Sequence, residues 1–221
     1  MSKHLAFEIE NLKKKILSLS IIVDDVVKKS VRAQHERNKE LAKEVISLDY
    51  KIDDLEVEIE EDCLKILALH QPVAVDLRYL VGVMKMNNDL ERIGDLAVNI
   101  AERTLFILKG PEVKNPIDLS EMAEKTCAMF DRSIQALIKM DTSLALQVCQ
   151  DDQAVDDINK EMYEIIFKSI QERPEDVRVL ISYLASSRHL ERIADYATNI
   201  AEDVMYMVDG SIVRHNPDLF E

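Results

Sequence analysis

The segment Leu90-Glu91-Arg92-Ile93-Gly94-Asp95-Leu96-Ala97-Val98-Asn99-Ile100-Ala101-Glu102 returns one hundred positions later as Leu190-Glu191-Arg192-Ile193-Ala194-Asp195-Tyr196-Ala197-Thr198-Asn199-Ile200-Ala201-Glu202. Upstream, Asp76-Leu77-Arg78 returns as Asp176-Val177-Arg178, and Asp49, Asp53 and Asp54 correspond to Asp152, Asp156 and Asp157. A chain that repeats itself this densely builds one structural unit twice. The unit must be helical. The 221 residues hold 4 Gly and 5 Pro, roughly 4 % together where about 12 % is usual, and sheet folds need far more turn residues than that.

The apolar spacing gives the helices. Leu5, Ile9, Leu12, Ile16, Leu19, Val23, Val26, Ser30 and Ala33 alternate steps of four and three, one seam along a first helix. Asn38 reads as an N-cap, and the seam resumes with Leu41, Val45, Leu48, Ile52, Leu55 and Ile59 until His70-Gln71-Pro72 breaks it. The pattern predicts a third helix from Val73 to Leu108. Residues 109–116 carry Gly110, Pro111 and Pro116 and read as a linker. Three more helices are predicted at Pro116–Met140, Thr142–Glu172 and Pro174–Val208, stopped by Gly210. The expected organisation is all-α: two tandem three-helix bundles, 1–109 and 116–210, related by a pseudo-twofold, with a polar tail at 211–221.

Composition excludes several functions. With a net charge of −14, the chain lacks the basic surplus that neutralises nucleic-acid phosphates or anionic lipid. The cysteines Cys63, Cys127 and Cys149 are odd in number and far apart, which fits idle thiols in a reducing cytoplasm. The first fifteen residues hold no continuous apolar stretch, so no signal peptide is expected. No apolar run reaches the roughly 20 residues of a membrane span.

The repeated motif carries carboxylates on one stripe. Glu91, Asp95 and Asn99 are four apart and stack along one helix face beside the apolar stripe Leu90, Ile93, Ala97, Ile100, Thr104 and Ile107. Asp49 and Asp53 flank the Leu48/Ile52 seam in the same way. Folding the second helix back on the third sets Asp53 level with Glu91 and Asp49 level with Asp95, because both pairs have Pro72 as their midpoint. In the second unit Asp156 with Glu191, and Asp152 with Asp195, both centre between Arg173 and Pro174. Each unit thus gathers four carboxylates on facing helices. Such clusters repel unless protonation, arginine pairing or a metal ion compensates. An all-oxygen donor set suits hard cations such as Mg, Ca, Mn or iron; Arg78, Arg92, Arg178 and Arg192 are the arginines that could pair instead.

Helical bundles with inward carboxylates include di-iron oxidases, which use Glu-x-x-His. Here Gly94 and Ala194 occupy the histidine position, and His189 falls about 200° round the helix from Glu191. His4, His35, His70 and His215 lie at helix ends, turns or the tail. No nucleophile elbow, P-loop or dinucleotide fingerprint is present. The residues alone leave a regulatory protein, a di-metal carboxylate enzyme and a metal-free helical scaffold as alternatives.

The segment Gln71-Pro72-Val73-Ala74-Val75-Asp76-Leu77-Arg78, with Asp89-Leu90-Glu91-Arg92-Ile93-Gly94-Asp95 and Asn99-Ile100-Ala101-Glu102, resembles the PhoU phosphate-signalling proteins over nearly the whole chain, both motif copies included. The resemblance implies a cytoplasmic, non-enzymatic negative regulator, peripheral to a membrane complex, that forms a homodimer. It would link the ATPase of the phosphate ABC transporter to the phosphate-sensing histidine kinase. It also implies carboxylate-bound metal ions (iron, zinc, manganese or magnesium), held by Asp49, Asp53, Glu91 and Asp95 in one repeat and by Asp152, Asp156, Glu191 and Asp195 in the other. Where many members carry His after the motif Asp, this chain has Leu96 and Tyr196.

Overall fold

The structure, a computed structural model, describes residues 3–110 and 117–210. They form six long helices: α1 (Lys3–His35), α2 (Lys39–His70), α3 (Val75–Ile107), α4 (Ser120–Lys139), α5 (Thr142–Glu172) and α6 (Val177–Asp209). A single 3₁₀ turn, Pro174–Asp176, leads into α6. Among the described residues there is no strand. The all-α architecture in two three-helix units is as the repeat predicts. Residues 111–116, with the predicted helix start at Pro116, and the tail 211–221 lie outside the described residues.

Local chemistry sets the helix ends. Asn38 caps α2 by accepting the Leu41 N–H at 3.0 Å, and the Asp141 carboxylate caps α5 through the N–H groups of Ser143 and Leu144. Three starts fall later than the periodicity predicts. In place of Val73, α3 begins at Val75, because Gln71 and Ala74 both take positive φ, 44° and 51°, which no α-helix continues. Ahead of α4, the Asp118 carboxylate accepts the Ser120 N–H at 2.9 Å and turns the chain just before the helix. Pro174 opens a 3₁₀ turn, so α6 proper starts at Val177.

All nine seam positions of α1 are buried, as is the Leu90–Ile107 stripe of α3. On α2 the seam buries Leu41, Val45, Ile52 and Ile59, while Leu48 and Leu55 are half-buried at its edge. Each unit is one bundle, α1 against α2 and α3, α4 against α5 and α6. The units join through α3 packed on α6, with α1 also touching α4. The α3–α6 pair runs antiparallel, since Arg78 near the start of α3 lies beside Gly210 at the end of α6, and Gly110 lies beside Val179. That is the pseudo-twofold. Gly82 permits the close approach: a Cβ there would stand 2.6 Å from the Met207 sulfur.

Candidate functional site

The four carboxylates of the first unit come from facing stretches of α2 and α3, and the pairs set level by the sequence are the ones that influence one another. Burial pushes the Asp49 carboxyl above its ordinary value, and the negative charges of Asp53, Asp95 and Glu102 add to the shift. Glu91 is raised by burial, then by Asp95 and Asp53, and is pulled back by Arg92. Arg92 spans the motif: its Nε lies 3.4 Å from Glu91 Oε2 and its Nη1 donates to Asp95 Oδ2 at 3.3 Å. Arginine pairing, one of the three compensations open to such a cluster, is therefore in place here, although Arg92 itself is exposed and the pairs are correspondingly weak.

The second unit repeats the arrangement with more strain. Burial and Asp156 raise Asp152. The nearby Thr198 hydroxyl pulls Asp152 back down, though the two do not close a well-formed hydrogen bond. Burial and Asp156 raise Glu191, with Arg188 and Arg192 opposing. Asp195 keeps an exposed edge. Its carboxyl is nonetheless hemmed in, and burial together with Glu191, Asp152 and Asp156 pushes it up to about 7. Arg192 lowers Asp195 but makes no ion pair with it of the kind Arg92 makes with Asp95.

Several neighbours escaped the sequence reading. Glu102 joins the first cluster from one further step along the α3 stripe, a spacing that could have announced it. Glu56 lies on the flank, where its side chain and backbone carbonyl accept from the Asn87 amide at 3.2 and 2.8 Å. The second unit places Ser187 and Asn159 at these two positions, and they bond at 2.9 Å. Leu96 is 4 % exposed and sits in the core, so the acidic face is lined without it; Tyr196 is half-buried. The half-buried His189 has both ring nitrogens buried without a partner, and burial with the charges of Arg103, Arg192 and Arg188 pushes it down to about 4, so it is neutral near pH 7. Burial drives the thiols of Cys63, Cys127 and Cys149 up to about 12, 11 and 12, which leaves them unreactive.

The chemistry these faces offer is charge compensation. The donors are hard oxygens that raise one another's affinity for a positive charge, whether a proton or a cation. As the side chains stand, no group of three or more His, Cys, Asp or Glu among the described residues is gathered closely enough to hold a metal ion. No helix among those residues is long and apolar enough to cross a membrane.

A family model described as the PhoU domain matches residues 16–104 and 119–204, one match per unit. The chain is 37 % identical over 208 residues to the phosphate-specific transport system accessory protein PhoU homolog of Aquifex aeolicus, covering 94 % of each. It is 32 % identical over 216 residues to the homolog of Pseudomonas aeruginosa, covering 97 % of this chain and 89 % of that one. Among solved structures, PhoU from Pseudomonas aeruginosa superposes with a TM-score of 0.90 at 32 % identity, over 93 % of this chain and 99 % of that one. The phosphate transport system regulatory protein PhoU from Streptococcus pneumoniae gives 0.86 at 28 % identity, over 95 % and 99 %.

Proposed function

The chain belongs to the PhoU family, and from that premise we propose that it is an accessory protein of a phosphate-specific transport system that acts as a negative regulator of phosphate uptake and of the phosphate regulon. In this role it works in the cytoplasm, at the membrane complex, as a homodimer that links the ATPase of the phosphate ABC transporter to a phosphate-sensing histidine kinase. The observation that carries the proposal is the extent of the likeness, which runs across both units and nearly the full length of relatives described as transport accessory proteins. The site supports a binding role, since the acidic faces assemble no nucleophile with a base.

Asp49, Asp53, Glu91 and Asp95 would hold hard cations on one unit, and Asp152, Asp156, Glu191 and Asp195 on the other. The support is the donor chemistry and the raising of Asp49, Glu91, Asp152, Glu191 and Asp195 by burial and by their negative neighbours. A bound cation would offset that repulsion and tie α2 to α3 and α5 to α6. A second reading, a scaffold without metal, is favoured in the first unit by the Arg92 ion pairs.

Deletion of the gene tests the regulatory role. Phosphate-starvation genes should stay on in phosphate-rich medium, and capture of the protein from phosphate-replete cells should bring down the transporter ATPase and the kinase. Normal repression in the deletion strain would contradict the proposal.

A further inference from the structure

A cavity of about 270 Å³ lies where the two units meet, between the end of α1, the segment 117–120 that enters α4, and the middle of α6. It has no part in the acidic faces. Its walls are apolar: Val31, Ile117, Leu119 and Leu190. Two polar side chains reach it from nearly complete burial, Gln34 at 8 % and Tyr183 at 4 % exposure.

Their polar atoms are only partly used. Gln34 donates through Nε2 to Ser186 Oγ at 2.9 Å, and Ser186 Oγ donates on to the Ser182 carbonyl at 3.2 Å. This chain fixes the amide and leaves Gln34 Oε1 as an acceptor. Burial raises the Tyr183 hydroxyl, and the Arg37 guanidinium, which hydrogen-bonds toward its oxygen, opposes that shift. The Tyr183 O–H is therefore an unspent donor, and Arg37 has no carboxylate partner within 4 Å among the described residues. Arg37 is held in place by its backbone: φ is 52°, in the turn that closes α1, and its N–H bonds the Gln34 carbonyl at 3.3 Å. Asp118 and His35 also line the rim. Asp118 accepts the Ser120 N–H, and His35 Nδ1 lies 3.3 Å from Ser120 Oγ.

A guanidinium with no carboxylate partner among the described residues, a phenolic O–H and an apolar chamber form one arrangement. Polar groups that converge in a mostly apolar cavity are how small-ligand sites are built. We propose that this junction cavity is a binding site for a small amphipathic carboxylate. The carboxylate meets Arg37 and Tyr183, and the apolar body lies against Val31, Leu119 and Leu190. The volume lies just under the usual ligand-pocket range, so the occupant is small. Because the walls come from α1 and α6, an occupant touches both units at once, and the site can exist whether or not the acidic faces carry cations.

Titration of the full chain with 3-phenylpropionate, followed by calorimetry and by methyl shifts of labelled leucines, tests the proposal. Saturable one-to-one binding is expected, with shifts at Leu119 and Leu190. The uncharged 3-phenylpropanol should bind at least tenfold more weakly. Arg37→Asn should cost at least tenfold in affinity without lowering the melting temperature, since Asn tolerates the left-handed backbone at this position. Tyr183→Phe, which keeps the packing, should also weaken binding. No saturable binding to the wild type, equal binding of the alcohol, or undiminished binding by Arg37→Asn would each overturn the proposal.

Discussion

Lys85 on α3 reaches across the junction to Asp203 on α6, its Nζ donating to Oδ1 at 3.3 Å. Asp203 is 1 % exposed, and the same ammonium lies 5.5 Å from the centroid of the Tyr206 ring. A carboxylate that deep needs its cation. Lys85→Met should therefore destabilise the protein by about 1 to 3 kcal/mol, read by denaturant unfolding. Lys85→Arg should lose less than half of that. A neutral Lys85→Met would show that the junction does not depend on this pair.

Gly94 and Ile52 predict a coupled pair of changes. A Cβ on Gly94 would stand 2.8 Å from Ile52 Cδ1 and 3.3 Å from its Cγ2, whereas the repeat places Ala194 and Val155 at the equivalent positions. Gly94→Ala gains about 1 kcal/mol of helix propensity but overpacks the core, which costs about 1 to 3 kcal/mol. The single change should come out destabilising by about 1 kcal/mol, the balance of the two terms. Adding Ile52→Val should recover most of the loss, so that a double-mutant cycle gives a favourable coupling. Additive effects would mean that the two side chains do not compete for space.

The raised carboxyls set the pH dependence of the metal-free protein. Asp195 titrates near 7 in the folded chain and near its ordinary 3.8 when unfolded. Its contribution is complete below 3.8 and is lost as pH rises towards 7, because ionisation is penalised only in the folded state. Asp49, Glu91, Asp152 and Glu191 are raised as well and act with the same sign, whereas His189, lowered to about 4, acts with the opposite sign up to its ordinary 6.5. The Asp195 contribution is therefore read as a difference: from pH 5 to pH 8 the metal-free wild type should lose several degrees of melting temperature relative to Asp195→Asn, at roughly 2 to 4 °C per kcal/mol for this size. An identical pH dependence in the two proteins would contradict the raised value of Asp195.

Much of this was legible because helix periodicity is a local signal with a strong period. The α1 seam from Leu5 to Ala33 is buried at every position, and the shared midpoint at Pro72 is enough to bring Asp49 beside Asp95 and Asp53 beside Glu91. What stayed hidden depends on contacts between helices or on single backbone angles. Nothing at Asp203 announces burial, since the repeat carries Arg103 at the matching place and that residue is exposed. The late start of α3 follows from the positive φ of Ala74, an unusual choice for alanine that composition does not foretell. Arg92 was one of several arginines that could have served the motif, and only the geometry selects it over Arg78.

Cation binding by the two acidic faces is tested most directly by equilibrium dialysis against Mn²⁺ with elemental analysis, on protein purified without a metal-affinity tag. The wild type should retain the ion, with a melting temperature that falls on chelation and recovers on reloading, by about 2.7 kcal/mol of stabilisation at a hundredfold excess over the dissociation constant. The double change Glu91→Gln with Asp95→Asn should remove the share of the first unit alone, and Glu191→Gln with Asp195→Asn that of the second. A wild type that retains no metal and melts identically with and without chelator would contradict cation binding, leaving Arg92 and protonation as what compensates these carboxylates.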